Sequence, residues 1–106
     1  MTNQAMEQFL SKIQQDPAGL KGYNARIQFD FTDTEESTLI SFDGNNAHVA
    51  KDAQAPDCTV SISSKNFEKL TTGQMNPQTA FLMGKLKSKG DMSHLLRLSS
   101  LLTYYK

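Results

Sequence analysis

The apolar positions of this chain change period several times, and each change marks an element. Met6, Phe9, Leu10 and Ile13 fall at i, i+3, i+4 and i+7, the single stripe of an amphipathic helix. Asn3 is placed to cap it, and Asp16-Pro17-Ala18-Gly19 ends it. The period then drops to two. Ile27, Phe29 and Phe31 alternate with Arg26, Gln28 and Asp30, the pattern of a strand with one buried face. A polar turn from 32 to 36 leads into a second such strand, with Thr38, Ile40 and Phe42 on one side. Asp43-Gly44-Asn45-Asn46 predicts a hairpin to a short third strand near 47–50. After an irregular connection at 52–56, Cys58, Val60 and Ile62 alternate with Thr59, Ser61 and Ser63 as a fourth strand.

From Ser64 the helical period returns. Ser64 can cap a short helix that buries Phe67 and Leu70, with Gly73 as its stop. Asn76-Pro77 restarts a helix with cap and first-turn proline in the preferred order. Ala80, Phe81, Leu82 and Met83 make this helix apolar on most sides, so it is expected to be largely enclosed, and Gly84 ends it. Leu86 and Ser88 then point one way and Lys85, Lys87 and Lys89 the other, as a fifth strand. Gly90-Asp91 opens a last helix in which Met92, Leu95, Leu96, Leu98, Leu101 and Leu102 supply a broad apolar surface. A strand-rich first half with helices that must cover a sheet predicts one α+β domain over residues 1–106.

Composition removes several function classes. Eleven Lys+Arg balance eleven Asp+Glu, so no global field favours nucleic acid or membrane, and any electrostatic attraction must come from local patches. Phe29 and Phe31 share a strand face, as stacking aromatics do in RNA-binding sheets, but the accompanying ribonucleoprotein motifs are missing and the core reading wins. A single cysteine, Cys58, makes no internal disulfide and fits a reducing compartment. The N-terminus lacks a basic region followed by an apolar run, and no apolar run approaches the roughly 20 residues that span a bilayer. The last residues are not a peroxisomal Ser-Lys-Leu signal, so a cytoplasmic placement is expected.

Candidate chemistry is sparse. His48 and His94 lack metal-ligand spacing, and nothing cationic neighbours Cys58 in sequence to make a thiolate. Glu35-Glu36 sits in a turn rather than a cleft suited to acid–base work. Gly84-Lys85 lacks the glycine-rich loop of a phosphate site. No catalytic residue, metal or cofactor is expected.

The segments Ile27 to Phe31, Asp57 to Ser63 with Phe67, Leu70 and Gly73, and above all Pro77 to Asp91 resemble the sterol carrier protein domain family. The last block is the most specific, because it sets a proline, two glycines and alternating lysines at fixed spacings. The resemblance covers nearly the whole chain. It implies a five-stranded mixed sheet with helices on one face, enclosing an apolar tunnel, and a non-enzymatic protein that binds or transfers fatty acids, acyl-CoA, sterols or other lipids. Position 88 is usually bulky and apolar in that family. Ser88 puts a hydroxyl there, which argues against a sterol ligand. The sequence also stops soon after the last helix, without the longer tail that covers the tunnel in some members, which leaves the lid undefined.

On that resemblance the tunnel-lining candidates are Phe67, Leu70, Phe81, Leu82, Met83, Leu86, Leu95, Leu98 and Leu102. Lys85, Lys87 and Lys89 are candidates for contact with an anionic headgroup or membrane, each worth about 1 kcal/mol near such a surface. Read without the resemblance, the same apolar residues are the core of a small domain, and the lysines are charges that keep an edge strand from pairing. Magnitude bears on the choice. An empty tunnel of roughly 300 Å³ would cost about 7 kcal/mol at about 24 cal/mol per Å³, comparable with the whole stability of a domain. A tunnel should therefore be occupied by lipid, partly collapsed, or closed by a second subunit. The leading expectation is a lipid-binding or lipid-transfer protein for a fatty acyl ligand. The competing one is a homodimerisation or interaction module with a filled core, its interface on the Leu-rich last helix ending in Tyr104-Tyr105.

Overall fold

A computed structural model of the chain describes residues 4–50, 55–90 and 93–105. The five period-two segments pair into one sheet: β1 (Asn24–Phe31), β2 (Glu36–Asp43), β3 (Ala47–Val49), β4 (Cys58–Ile62) and β5 (Leu86–Gly90), in the order β3-β2-β1-β4-β5. β1 runs antiparallel to β2 and parallel to β4, while β3 and β5 pair antiparallel at the two edges. The sheet is therefore mixed and the class α+β.

Alternation decides what each strand buries. Ala25, Ile27, Phe29 and Phe31 of β1 point to one face, and Ile40, Phe42, Cys58, Val60, Ile62 and Leu86 join them from the neighbouring strands. That face is covered by α1 (Gln4–Gln15), α2 (Ser64–Thr71) and α4 (Ser93–Tyr104), whose buried stripes complete one core. Phe67 of α2 sits at its centre, with ring centroids 5.6 Å from both Phe29 and Phe31 and 6.3 Å from Phe9, all edge-on. Such geometries are favoured by the ring quadrupole and fill space densely.

Local signals set most helix ends, with instructive exceptions. The cap of α2 is Ser63, one residue before the expected Ser64: its Oγ accepts the Asn66 N–H at 3.1 Å. Ser64 is instead held by Asp33, whose carboxylate accepts the Ser64 N–H at 2.9 Å and hydroxyl at 2.6 Å. These bonds, the hydroxyl's first, lower the Asp33 pKa. Asn76 caps α3 (Pro77–Leu82) by accepting the Gln78 N–H at 2.8 Å. At the other end Gly84 N–H donates to Phe81 O and Lys85 N–H to Ala80 O, a Schellman closure that needs the left-handed conformation (φ 76°) glycine adopts freely. The expected caps at Asn3 and Asp91, Met92, and most of the 52–56 connection lie outside the described residues.

The enclosed character expected of α3 does not hold. Only Pro77 and Ala80 are buried, while Phe81 is 37%, Leu82 84% and Met83 62% exposed. The reason is geometric. Consecutive helical residues are separated by about 100°, so the run 80–83 cannot face one side, and a helix of fewer than two turns touches the body along a single arc.

A second feature concerns the end of α4. Between α1 and β1 the segment Pro17–Leu20 forms a 3-10 turn capped by Asp16, and Leu20 is fully buried. The Tyr105 hydroxyl donates to the Asp16 carbonyl oxygen and accepts the Gly19 N–H, while Tyr104 donates to the Asp16 carboxylate at 3.0 Å. Both hydroxyls of the tyrosine pair thus bond within the chain, with Tyr105 buried and Tyr104 half exposed. Phenols favour this use because each pairs a large apolar ring with one hydrogen-bonding tip.

Candidate functional site

An apolar space lies between α3 and the first half of α4. It is a cleft of about 550 Å³, open to solvent and lined by Pro77, Gln78, Phe81, Leu82, Ser93, Leu95, Leu96 and Ser99. Its shape follows from the sequence of α4. Leu95, Leu98, Leu101 and Leu102 turn inward to the core, leaving Leu96 on the rim at 64% exposure, and the short side chain of Ser99 leaves room beside it. Across the gap, α3 presents the two side chains that its single buried arc excludes, Phe81 and Leu82. Because the cleft is open, it does not carry the cost of a sealed empty tunnel.

The expected lining residues divide into four groups. Phe81, Leu82 and Leu95 line the cleft. Phe67, Leu86 and Leu98 are packed into the core at 1% exposure each. Leu70 and Leu102 border a smaller pocket of about 130 Å³ with Gly73, Met75, Asn76, Pro77 and Thr103. Pro77 borders both spaces, which therefore flank it on two sides. Met83 stands next to the cleft, in solvent, outside its lining. Pro77, Gln78, Ser93, Leu96 and Ser99 were not singled out from sequence as site residues. Helical spacing carried a signal for two of them, since positions 95, 96 and 99 share one side of a helix.

Lys85, Lys87 and Lys89 are all exposed, along the edge strand β5 and the residue before it. Ser88, opposite Val60 of β4, is half-buried on the inward side, as its alternation with the lysines required.

On the other flank of α4 lies a polar hollow of about 410 Å³ lined by Tyr23, Ser93, His94, Leu96, Arg97 and Ser100. The Tyr23 hydroxyl and His94 Nδ1 are hydrogen-bonded at 2.6 Å. The Arg97 guanidinium lies 5.0 Å from the Tyr23 ring centroid and donates to the carbonyls of Leu20 and Lys21, closing the 3-10 turn. This arrangement is structural, a cation stacked on an aromatic face and serving as a cap for backbone acceptors. A further hollow of about 310 Å³ between α1 and α2 is lined by Gln4, Ala5, Gln8, Ser64, Lys65 and Glu68, a largely polar wall ill-suited to an apolar ligand.

Among the described residues no three His, Cys, Asp or Glu side chains cluster to hold a metal, Cys58 is buried, and no helix is long and apolar enough to cross a membrane.

This combination of a mixed sheet, a one-sided helical layer and an apolar cleft has relatives. Residues 3–103 match the model of the SCP-2 sterol transfer family, and the chain belongs to that family. Lipid binding or transfer in general goes with it. The chain is 47% identical over 45 residues to human sterol carrier protein 2, a match spanning 42% of this chain and 8% of that protein. It is 29% identical over 86 residues to the hydroxysteroid dehydrogenase-like protein 2 of Bos taurus, spanning 78% of this chain and 21% of that one. Among solved structures, the ubiquinone synthesis protein UbiJ-SCP2 superposes with a TM-score of 0.76 at 17% identity over 94% of this chain and 90% of its own. Palmitated SCP2L2 from Aedes aegypti superposes with a TM-score of 0.74 at 18% identity over 92% and 90%. Likeness at these identities shows the shared fold.

Proposed function

We propose that this chain is a non-enzymatic cytoplasmic carrier that holds the acyl part of a fatty acid, fatty acyl-CoA or similar single-chain lipid in the cleft between α3 and α4. The observation that carries the reading is the cleft itself: about 550 Å³, walled mainly by Pro77, Phe81, Leu82, Leu95 and Leu96. That volume lies within the range of small-molecule sites, about 300–1,000 Å³. Apolar walls with only Gln78, Ser93 and Ser99 as polar groups fit a chain of methylenes, each worth about 0.8 kcal/mol when buried. A longer chain extends past Pro77 toward Leu70 and Leu102, while Phe67, Leu86 and Leu98 stay in the packed core.

Native mass spectrometry of protein purified from cells is expected to show bound lipid, and a fluorescent fatty acid should bind the delipidated protein. Ser99→Trp, which fills the cleft from its wall without touching the core, should weaken that binding by about tenfold or more. Absence of both co-purified lipid and fatty-acid binding would falsify the carrier reading.

A further inference from the structure

The chain is neutral as a whole, but its charge is segregated. Residues 1–68 hold five basic and ten acidic side chains; residues 69–106 hold six basic and one acidic. Within the basic part, residues 69–90 contain four lysines and no acid. Three of these lysines, Lys85, Lys87 and Lys89, lie along the exposed edge of the sheet.

The same region gathers exposed apolar side chains. Phe81, Leu82, Met83 and Leu96 account for four of the six large hydrophobic residues exposed among those described. Phe81, Leu82 and Leu96 form the lips of the cleft, and Met83 follows directly before the Gly84 turn. The Schellman closure at Gly84 ends α3 and passes the chain into β5, so Lys85 follows Leu82 and Met83 by three and two residues, directly before the edge strand. At about 3.3 Å per residue the lysine row extends some 13 Å from this corner.

We propose that the α3–β5 corner is a docking surface for anionic lipid bilayers. Leu82 and Met83 enter the headgroup–acyl boundary, Lys85, Lys87 and Lys89 lie along the anionic headgroups, and the cleft opens at the membrane. Exposed aliphatic side chains backed by lysines fit a surface that is apolar in depth and negative at its face. A second copy of the chain fits less well. A two-fold interface sets the same patch against itself and would oppose lysine to lysine with no acid between residues 69 and 90. Delivery of cargo from the cleft rests on the carrier reading; the docking surface rests on exposure and charge.

The test is flotation of the full chain with phosphatidylcholine vesicles, with and without phosphatidylserine. The protein should float with the anionic vesicles and far less with the neutral ones, and salt should release it. Lys85→Gln, Lys87→Gln and Lys89→Gln together should weaken binding by about a hundredfold, near fivefold per lysine. Lys12→Gln, Lys21→Gln and Lys65→Gln, an equal charge change elsewhere, should change it by less than about fivefold, because attraction fades beyond a Debye length. The chain has no tryptophan, so Met83→Trp is a clean reporter whose emission should move to the blue on anionic vesicles. Equal binding to both vesicle types, equal loss in the two lysine triplets, or unmoved Met83→Trp emission overturns the docking surface. Fatty-acid affinity measured without vesicles keeps the two readings apart. A protein that holds fatty acid but ignores anionic vesicles loses only the docking surface; one that docks but holds none loses only the carrier reading.

Discussion

The Tyr105 hydroxyl donates to the Asp16 carbonyl oxygen at 2.5 Å, joining residues 89 positions apart. It also accepts the Gly19 N–H at 3.1 Å, and its ring packs edge-on to Phe9 at 6.2 Å. One side chain thus fastens the end of α4 to the turn after α1. Tyr105→Phe keeps the ring and removes the hydroxyl, leaving two backbone groups without that partner. A loss of about 1–3 kcal/mol is expected in urea unfolding, with little change in the slope against denaturant. Tyr104→Phe should cost less, because its phenol is exposed.

The same contacts set an alkaline limit. The pKa of Tyr104 is raised above its ordinary 10.0, first by its hydrogen bond to Asp16, and that of Tyr105 is raised, first by burial. The folded state therefore holds these protons more tightly than the unfolded state. Their stabilisation is fully present below pH 10 and is lost as pH rises through the folded values. Urea midpoints measured from neutral to alkaline pH should fall, and the fall should be shallower in a Tyr104→Phe, Tyr105→Phe double variant.

At the acid end the sign reverses. Asp33 is lowered from 3.8, first by the Ser64 hydroxyl and then by its N–H, so its contribution is present above that value and lost as pH falls through the folded one. Ser64→Ala removes the first cause. Titration of the Asp33 carboxyl by NMR should then move toward its ordinary value, and the acid side of the stability profile should flatten.

Two glycines separate strain from crowding. An alanine Cβ at Gly84 meets nothing within 4 Å, so only the positive φ of 76° opposes it, at about 1–2 kcal/mol. At Gly90, φ is 105° and a Cβ would lie 2.9 Å from the Asp57 carbonyl oxygen and 3.4 Å from the Cys58 Cα, backbone atoms of the neighbouring segment. Gly90→Ala should cost about 3 kcal/mol or more. Thermal unfolding of the two variants should rank them clearly; equal losses would contradict the close approach at Gly90.

Cys58 offers a probe of opening. It is buried at 2% exposure in β4, so a thiol reagent should label it only as fast as the sheet opens. Rapid labelling of the folded protein would contradict that burial.

Much of the fold was legible because strands and helices write their period into neighbouring residues. The inward faces of β1, β2 and β4 follow from alternation at 27–31, 38–42 and 58–62, and the stops at Gly73 and Gly84 follow from helix-end chemistry. A local reading sets the cap of α2 one serine too late, because adjacent serines are equivalent to it. What separates Ser63 from Ser64 is a bond to Asp33, 31 residues earlier.

The sequence by itself determined the class, the element order and the family resemblance, since each rests on periods, caps and spacings within short windows. Tertiary structure alone decided the rest: that β4 lies parallel to β1, that Tyr105 reaches Asp16, and that Phe81, Leu82 and Met83 stand outside the core. The physical reason is common to all three. An apolar run states how much surface seeks cover, but which arc of a helix is covered depends on the shape of what packs against it. Around α3 that shape leaves a cleft with apolar lips beside a row of lysines.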